Sequence, residues 1–265
     1  MSLAEQLQAR REERAALLRT AVELLKDDPS VVAAWLYGSM GRDTHDDWSD
    51  IDLWIVVDPA GIEVVSAGRN DFAARIGTVI LTVEAPQNAP PGGAFMDVLY
   101  SGSFGPHIID FTWQPQESAR RSADTQLLFD RAGILLQEPP TPSPVEKQRE
   151  EAAAQLRFFW MMAAIVAKNI ARRKNWEVLS LLAFLWSVVA RLEWLTGSRD
   201  TSPRHGDHPA FEPPTTPGEQ LAALRRLTSR ISLLAAQTPA LRDAATPQLE
   251  EQIARFFETV EQSIT

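Results

Sequence analysis

Four prolines, Pro139, Pro140, Pro142 and Pro144, fall within the segment "QEPPTPSPVEKQ" at 137–148. Proline fixes φ and has no N–H to donate, so such a run fits neither a helix interior nor a central strand. The segment therefore divides the chain, and the hydrophobic pattern changes across it. We expect a first domain over 1–138, a Pro-rich linker over 139–144 and a second domain over 145–265.

Before the prolines, short β-branched and aromatic runs alternate with turn residues. The runs "VVAAWLYG" (31–38), "IDLWIVVD" (51–58), "IGTVILTVE" (76–84), "GAFMDVLYSG" (93–102) and "HIIDFTWQP" (107–115) read as five strands. "SGSFGP" joins the last two as a hairpin loop. Residues 3–27 read as a helix with Leu3, Leu7, Leu17, Leu18, Val22 and Leu25 at helical spacing, ended by Asp27-Asp28-Pro29. Segments 61–75 and 116–126 are weaker helix candidates. After the prolines the period is helical throughout. Leu156, Phe159, Met162, Ile165, Val166 and Ile170 form one stripe, and Leu179, Leu182, Leu185, Val189, Leu192 and Leu195 form a second. Helices over 218–236 and 247–263 follow a polar, Pro-rich loop at 196–218. The expected class is α+β: a mixed β-sheet with helices, then an all-helical bundle.

Composition narrows the function classes. Of 265 residues, 45% are apolar and 23% charged, which is ordinary for a globular chain, but the net charge is −9. A duplex-wrapping role is disfavoured, since such domains present a basic face. There is no cysteine, which removes disulfides and thiolate metal sites and fits a cytoplasmic location. The charged start shows no signal peptide, and the apolar run 178–190 reads as too short to span a bilayer. No membrane association is expected.

The chemistry is concentrated in "YGSMGRDTHDDWSDIDLWIVV", 37–57. Gly38 after a strand permits close backbone approach, so main-chain N–H groups can face an anion. Ser39 adds a hydroxyl, and Arg42, one turn on, can reach a phosphate oxygen. In a strand, residues i and i+2 share a face, so Asp50 and Asp52 become neighbouring carboxylates. Their repulsion is relieved by a hard divalent cation, and Mg²⁺ takes one or two carboxylates together with substrate phosphates. Asp110, alone in the apolar "HIIDFTW", is the candidate third carboxylate, as a metal ligand or as general base on an attacking hydroxyl. Asp97 is its rival, in an alternating strand where one polar face is ordinary. Asp43, Asp46 and Asp47 read as surface loop, as does the pair His205 and His208. Trp48, Trp54, Trp113, Trp160 and Trp176 have the flat faces to stack on a base, but core packing is their usual role. Lys168 shares a helical stripe with Arg172 and lies near Arg173 and Lys174, a basic excess suited to an anion.

"GSMGR…SDIDLWIVV" resembles the Gly-Ser, Asp-x-Asp signature of the polymerase-β-like nucleotidyltransferase superfamily, and "IIDFTW" resembles its third-carboxylate strand. "FFWMMAAIVAKNIARRKNW" (158–176) is similar to the helical segment of aminoglycoside 6-adenylyltransferases. The resemblance departs at the Pro-rich loops and in the C-terminal quarter. It implies a nucleotidyltransferase-type sheet domain in which Gly38 and Ser39 hold nucleotide phosphates. Asp50 and Asp52 would bind Mg²⁺, and Asp110 would be the third ligand or the base. Lys168 would contact the triphosphate or help hold the domains around it. The implied reaction moves a nucleoside monophosphate, AMP from ATP, onto a hydroxyl of a small, cationic molecule of the aminoglycoside type. The alternatives are a lincosamide, another metabolite or a protein side chain as acceptor, or a nucleotide-binding and dimerisation module without turnover. A homodimer is compatible with the leucines of 179–195.

Overall fold

The computed structural model describes residues 1–138, 145–199, 212–241 and 246–264. The chain divides into two compact units, Met1–Pro139 and Pro140–Thr265. The expected linker 139–144 and the pair His205 and His208 lie outside the described residues.

The first unit opens with α1 (Leu3–Asp27), started by a capping box in which Ser2 and Glu5 bond reciprocally. Then follow β1 (Val31–Leu36), the single turn α2 (Gly38–Gly41), β2 (Ile51–Val57), α3 (Ile62–Ala67) and α4 (Arg69–Ile76). The strands β3 (Val79–Glu84), β4 (Ala94–Tyr100), β5 (His107–Pro115) and β6 (Gln126–Asp130) complete it. One six-stranded sheet results, in the order β3-β4-β5-β2-β1-β6. β2 and β5 are parallel, and every other pair is antiparallel.

The period-2 pattern of the central strands fixes which face is core. Ile51, Leu53, Ile55 and Val57 of β2 point to one side, as do Ile109, Phe111 and Trp113 of β5 and Met96, Val98 and Tyr100 of β4. Ala21 and Leu25 of α1 and Ala73 and Ile76 of α4 cover that side. Leu17 and Leu18 pack against the same cluster, whereas Leu3, expected on the stripe, is 64% exposed because α1 extends beyond the core.

Two expectations fail. The helix candidate 116–126 is one 3-10 turn, Gln116–Ser118, followed by loop. Its Ser and Thr side chains bond locally instead: Thr125 Oγ1 donates to Ser122 O, and Ser122 Oγ to Asp124. The sixth strand, β6, was not expected. Its apolar run is only Leu127, Leu128 and Phe129, too short to show a period, and its place comes from pairing with β1.

The second unit is built from α5 (Val145–Ala171), α6 (Asn175–Leu195), α7 (Pro217–Gln237) and α8 (Pro247–Ile264). Leu156, Phe159, Val166 and Ile170 of α5 meet Leu182, Leu185, Val189 and Leu192 of α6 in one core. A second capping box, Thr216 with Glu219, starts α7. α6 runs past the expected apolar stretch 178–190 at both ends, because Trp176, Glu177, Arg191 and Glu193 are also helical. By length and composition it could cross a membrane, yet 44% of its apolar window is buried within the protein.

Leu53 is fully buried on the core face, so Leu53→Ala is expected to destabilise the first unit by about 2–5 kcal/mol in urea unfolding followed by tryptophan fluorescence. A loss below about 1 kcal/mol would contradict this assignment of the faces.

Candidate active site

The opposite face of the sheet carries the acids. Parallel pairing sets Asp52 directly opposite Asp110, and antiparallel pairing sets Asp97 opposite Asp110 from the other side. Three carboxylates therefore lie in one row across β2, β5 and β4. Asp50, just before β2, joins them: one carboxylate oxygen from each of Asp50, Asp52 and Asp110 lies within 4.8 Å of the others. This spacing suits hard-cation coordination by oxygen ligands.

The electrostatics follow from the crowding. Burial, then the charge of Asp50, pushes the Asp52 carboxyl up to about 6, while Arg42 opposes the rise. Burial also pushes Asp110 up, to about 7, helped by the charge and hydrogen bond of Asp97 and then by Asp52 and Asp50. Asp97 is thus not a substitute for Asp110 but its companion. Its alternating strand correctly put it on a polar face; only the strand order brings that face beside Asp110.

A turn closes the site on one side. After Tyr37, whose N–H donates to Asp52 O at 3.1 Å, the backbone reverses through Gly38 at φ +62°. A methyl group on Gly38 would sit 1.8 Å from Asp52 Oδ2, so glycine is required by both backbone and space. In α2 the first amide to find a backbone acceptor in its own turn is Gly41, bonded to Tyr37 O at 2.9 Å. The N–H groups of Gly38, Ser39 and Met40 precede that bond. The Ser39 hydroxyl oxygen is buried without a partner. A buried orphan hydroxyl costs free energy unless something completes it, and a phosphate oxygen beside the acid row would do so.

Two residues further along the strands an aromatic floor begins. Trp35 of β1 lies opposite Trp54 of β2, their rings 6.1 Å apart and 10° from parallel, and Tyr37 meets Trp54 edge-on. Trp54 Nε1 donates to Gln114 Oε1 at 2.8 Å, and Tyr37 Oη lies 3.4 Å from Thr112 Oγ1. A cavity of about 240 Å³ over this floor also touches Gly38, Arg42, Arg120 and Thr125. Arg120 was not singled out in the sequence, since it lies in the segment expected to be helical.

Gly38, Ser39, Arg42, Asp50, Asp52 and Asp110 thus come together in the first unit. Lys168 is on α5 of the second unit, on a solvent-exposed side. Trp113 and Trp160 are core, Trp48 and Trp176 are exposed, and of these five only Trp54 lines the cavity beside Gly38 and Arg42. A separate cavity of about 400 Å³ lies between α6 and α7, walled by Leu179, Leu182, Trp186 and Leu227 with Arg226 and Arg230 at its edge. Among the described residues its walls offer no carboxylate for metal chemistry.

Residues 19–78 match the family described as "Polymerase beta, Nucleotidyltransferase". The matched segment carries Gly38, Ser39, Arg42, Asp50 and Asp52; Asp97 and Asp110 lie beyond it. No curated protein matches the chain. Among solved structures, a nucleotidyltransferase-like protein from Exiguobacterium sibiricum 255-15 is 10% identical, with 95% of this chain and 74% of that one covered, at a TM-score of 0.34. A STING-associated CdnE c-di-GMP synthase from Capnocytophaga granulosa is 12% identical, with 87% and 83% covered, at a TM-score of 0.28. Likenesses this distant carry no argument about substrate.

The raised carboxyl groups give a stability prediction with a definite sign. Between the ordinary carboxylate value of 3.8 and about 6 to 7, the folded protein holds protons on Asp52 and Asp110 that the unfolded chain has released. Stability from these groups is therefore present at low pH and is lost as pH rises through that window. Without divalent cations, wild type should lose stability relative to Asp52→Asn/Asp110→Asn between about pH 4 and about pH 8, read as the difference in urea midpoints. A difference that stays constant or grows would contradict it. Gly38→Ala should destabilise the first unit by more than about 1 kcal/mol, and adding Asp52→Ala, which removes the obstructing carboxylate, should recover part of that loss in a double-mutant cycle.

Proposed function

We propose that this chain is a metal-dependent nucleotidyltransferase that moves a nucleoside monophosphate, AMP from ATP, onto a hydroxyl group of a small molecule and releases pyrophosphate. The observation that carries the reading is the row of Asp52 and Asp110 with Asp50, set against a glycine turn whose serine hydroxyl is buried and unpartnered. Two or more crowded carboxylates without a cation in a structural role would be a cost with no return. Next to an anion-accepting turn they match what a magnesium–triphosphate complex needs.

The residues divide the work. Asp50, Asp52 and Asp110 would hold Mg²⁺, which when bound supplies charge neutralisation at the transferring phosphate. The Gly38–Met40 backbone and Ser39 Oγ bind and orient the phosphate tail, and Arg42 and Arg120 border the same cavity. The acceptor oxygen forms a bond to the α-phosphorus while the bond to the pyrophosphate oxygen breaks. Asp110, hydrogen-bonded to Asp97, would serve as the third metal ligand or as the base that takes the hydroxyl proton.

For the acceptor we infer a hydroxylated, cationic small molecule of the aminoglycoside type. The net charge of −9 and the acids in and around the site favour polycations over anionic acceptors. Incubating the protein with ATP, Mg²⁺ and a mixed pool of aminoglycosides and lincosamides should yield a product heavier by one AMP in the mass spectrum. A lincosamide product would move the acceptor and keep the chemistry; nucleotide binding with no pyrophosphate release from any acceptor would reject turnover.

Asp50→Ala and Asp52→Ala should each lower pyrophosphate release by at least about a thousandfold while leaving the folded state as stable or more so, because each relieves like-charge crowding. Near-native turnover in either variant would reject the site.

A further inference from the structure

We infer that Arg14, on the first helix, is a positioning residue that sets Asp50 in place by holding the loop before it; the inference rests on the metal-dependent reading above. Asp50 lies outside β2, which begins at Ile51, so the ladder of the sheet does not fix it. Its position comes from the segment 43–49, and that segment has almost nothing apolar to anchor it. Its one large apolar side chain, Trp48, is 68% exposed.

The start of the segment is tied to α2, where Thr44 N donates to Ser39 O at 2.9 Å, and its end, 46–49, is held by α1. Arg14 is only 8% exposed, an unusual state for a guanidinium, which stays charged and loses hydration when buried. One nitrogen, Nη1, donates to Asp46 O at 2.8 Å and to Ser49 O at 2.7 Å. Ser49 is the residue immediately before Asp50. The loop is braced internally in the same spot: Asp46 Oδ1 accepts from Trp48 N and from Ser49 Oγ, both at 2.9 Å. Arg11 Nη1 pairs with Asp47 Oδ1 at 2.5 Å, and the Arg10 guanidinium lies 5.6 Å from the Trp48 ring centre. Arg14 therefore bridges the first and last carbonyl groups of a short turn and fixes its exit direction.

The same face of α1 treats the other approach to the acids alike. Arg10 Nη1 donates to Phe104 O at 2.8 Å and Gly105 O at 3.1 Å. Glu13 accepts from Ser103 N and contacts His107 Nε2 at 3.0 Å, at the start of the strand that carries Asp110. A ligand that must hold its place among repelling carboxylates needs such support, since nothing in its own charge favours that place.

The test uses the full chain with Arg14→Met and, to remove the charge but keep a shorter polar group, Arg14→Gln. Hydrogen exchange is followed by fragment, and Mn²⁺ binding by electron paramagnetic resonance, with Asp52→Ala as control. Both variants are expected to speed exchange over 43–50 while the buried part of α1 and the β2 interior stay protected, and to weaken Mn²⁺ binding roughly tenfold. Unchanged loop exchange in whichever variants fold overturns the inference, as does Mn²⁺ affinity equal to wild type, or faster exchange spread evenly over the unit. Those outcomes leave the site reading standing. Wild type that binds no Mn²⁺, or binds it equally well without Asp52, overturns the metal reading itself and this inference with it.

Discussion

The parallel pairing of β2 with β5 puts two aspartates opposite each other, and the rest of the first unit is arranged around that repulsion. Like charges directly across a ladder are destabilising. Here the pair is half-buried as well, and Asp97 and Asp50 add two more acids at its edges. A sheet free to optimise stability would place apolar or oppositely charged residues there. Retaining the conflict is intelligible when a cation and an anionic ligand complete the site, and the orphan hydroxyl of Ser39 marks where the second of these would bind.

The register that builds this row is also the one the core selects. On β2 the residues 51, 53, 55 and 57 enter the hydrophobic cluster, while Asp52 and Trp54 face the other way. A slip of one residue would bury Asp52 and expose Leu53 and Ile55, at a cost of several side chains' worth of apolar burial. Packing energy on one face thus enforces the crowding on the other. The repulsion among carboxylates is far too small to overturn that choice, so the acids stay aligned with or without a ligand.

This explains which parts were legible in the sequence. Asp-x-Asp at the head of an apolar run is a local pattern, and so is a Gly-Ser turn after a strand; both needed only period and turn chemistry. The five longer strands and the bundle helices carry enough repeats to show their period. Asp97 could be placed on a polar face but not beside Asp110, because adjacency depends on the order β4-β5-β2, and no local signal encodes that. β6 has three consecutive apolar residues and takes its structure from β1. Arg120 was hidden for the same reason, in a segment whose serines and threonines bond to their own loop. Arg14 looked like one of several charges on an amphipathic helix. Its burial follows from the loop that folds over it, 32 and 35 residues away.

The helix α1 links the core of the sheet to the loops that lead to the acids. Ala21 and Leu25 near its C-terminal end belong to the sheet's core, and Arg10, Glu13 and Arg14 in its N-terminal half meet the loops that lead to Asp50 and Asp110. A helix anchored by apolar packing is a stiff bar, and stiffness is what a polar contact needs if it is to aim a backbone segment. Loops alone, rich in Asp, Thr and Ser, would sample many positions and allow Asp50 to swing away from the aligned acids, which its charge favours. Mounting the hydrogen-bond donors on a packed helix removes that freedom before any ligand arrives, so the ordering of Asp50 is met from folding free energy and not from binding.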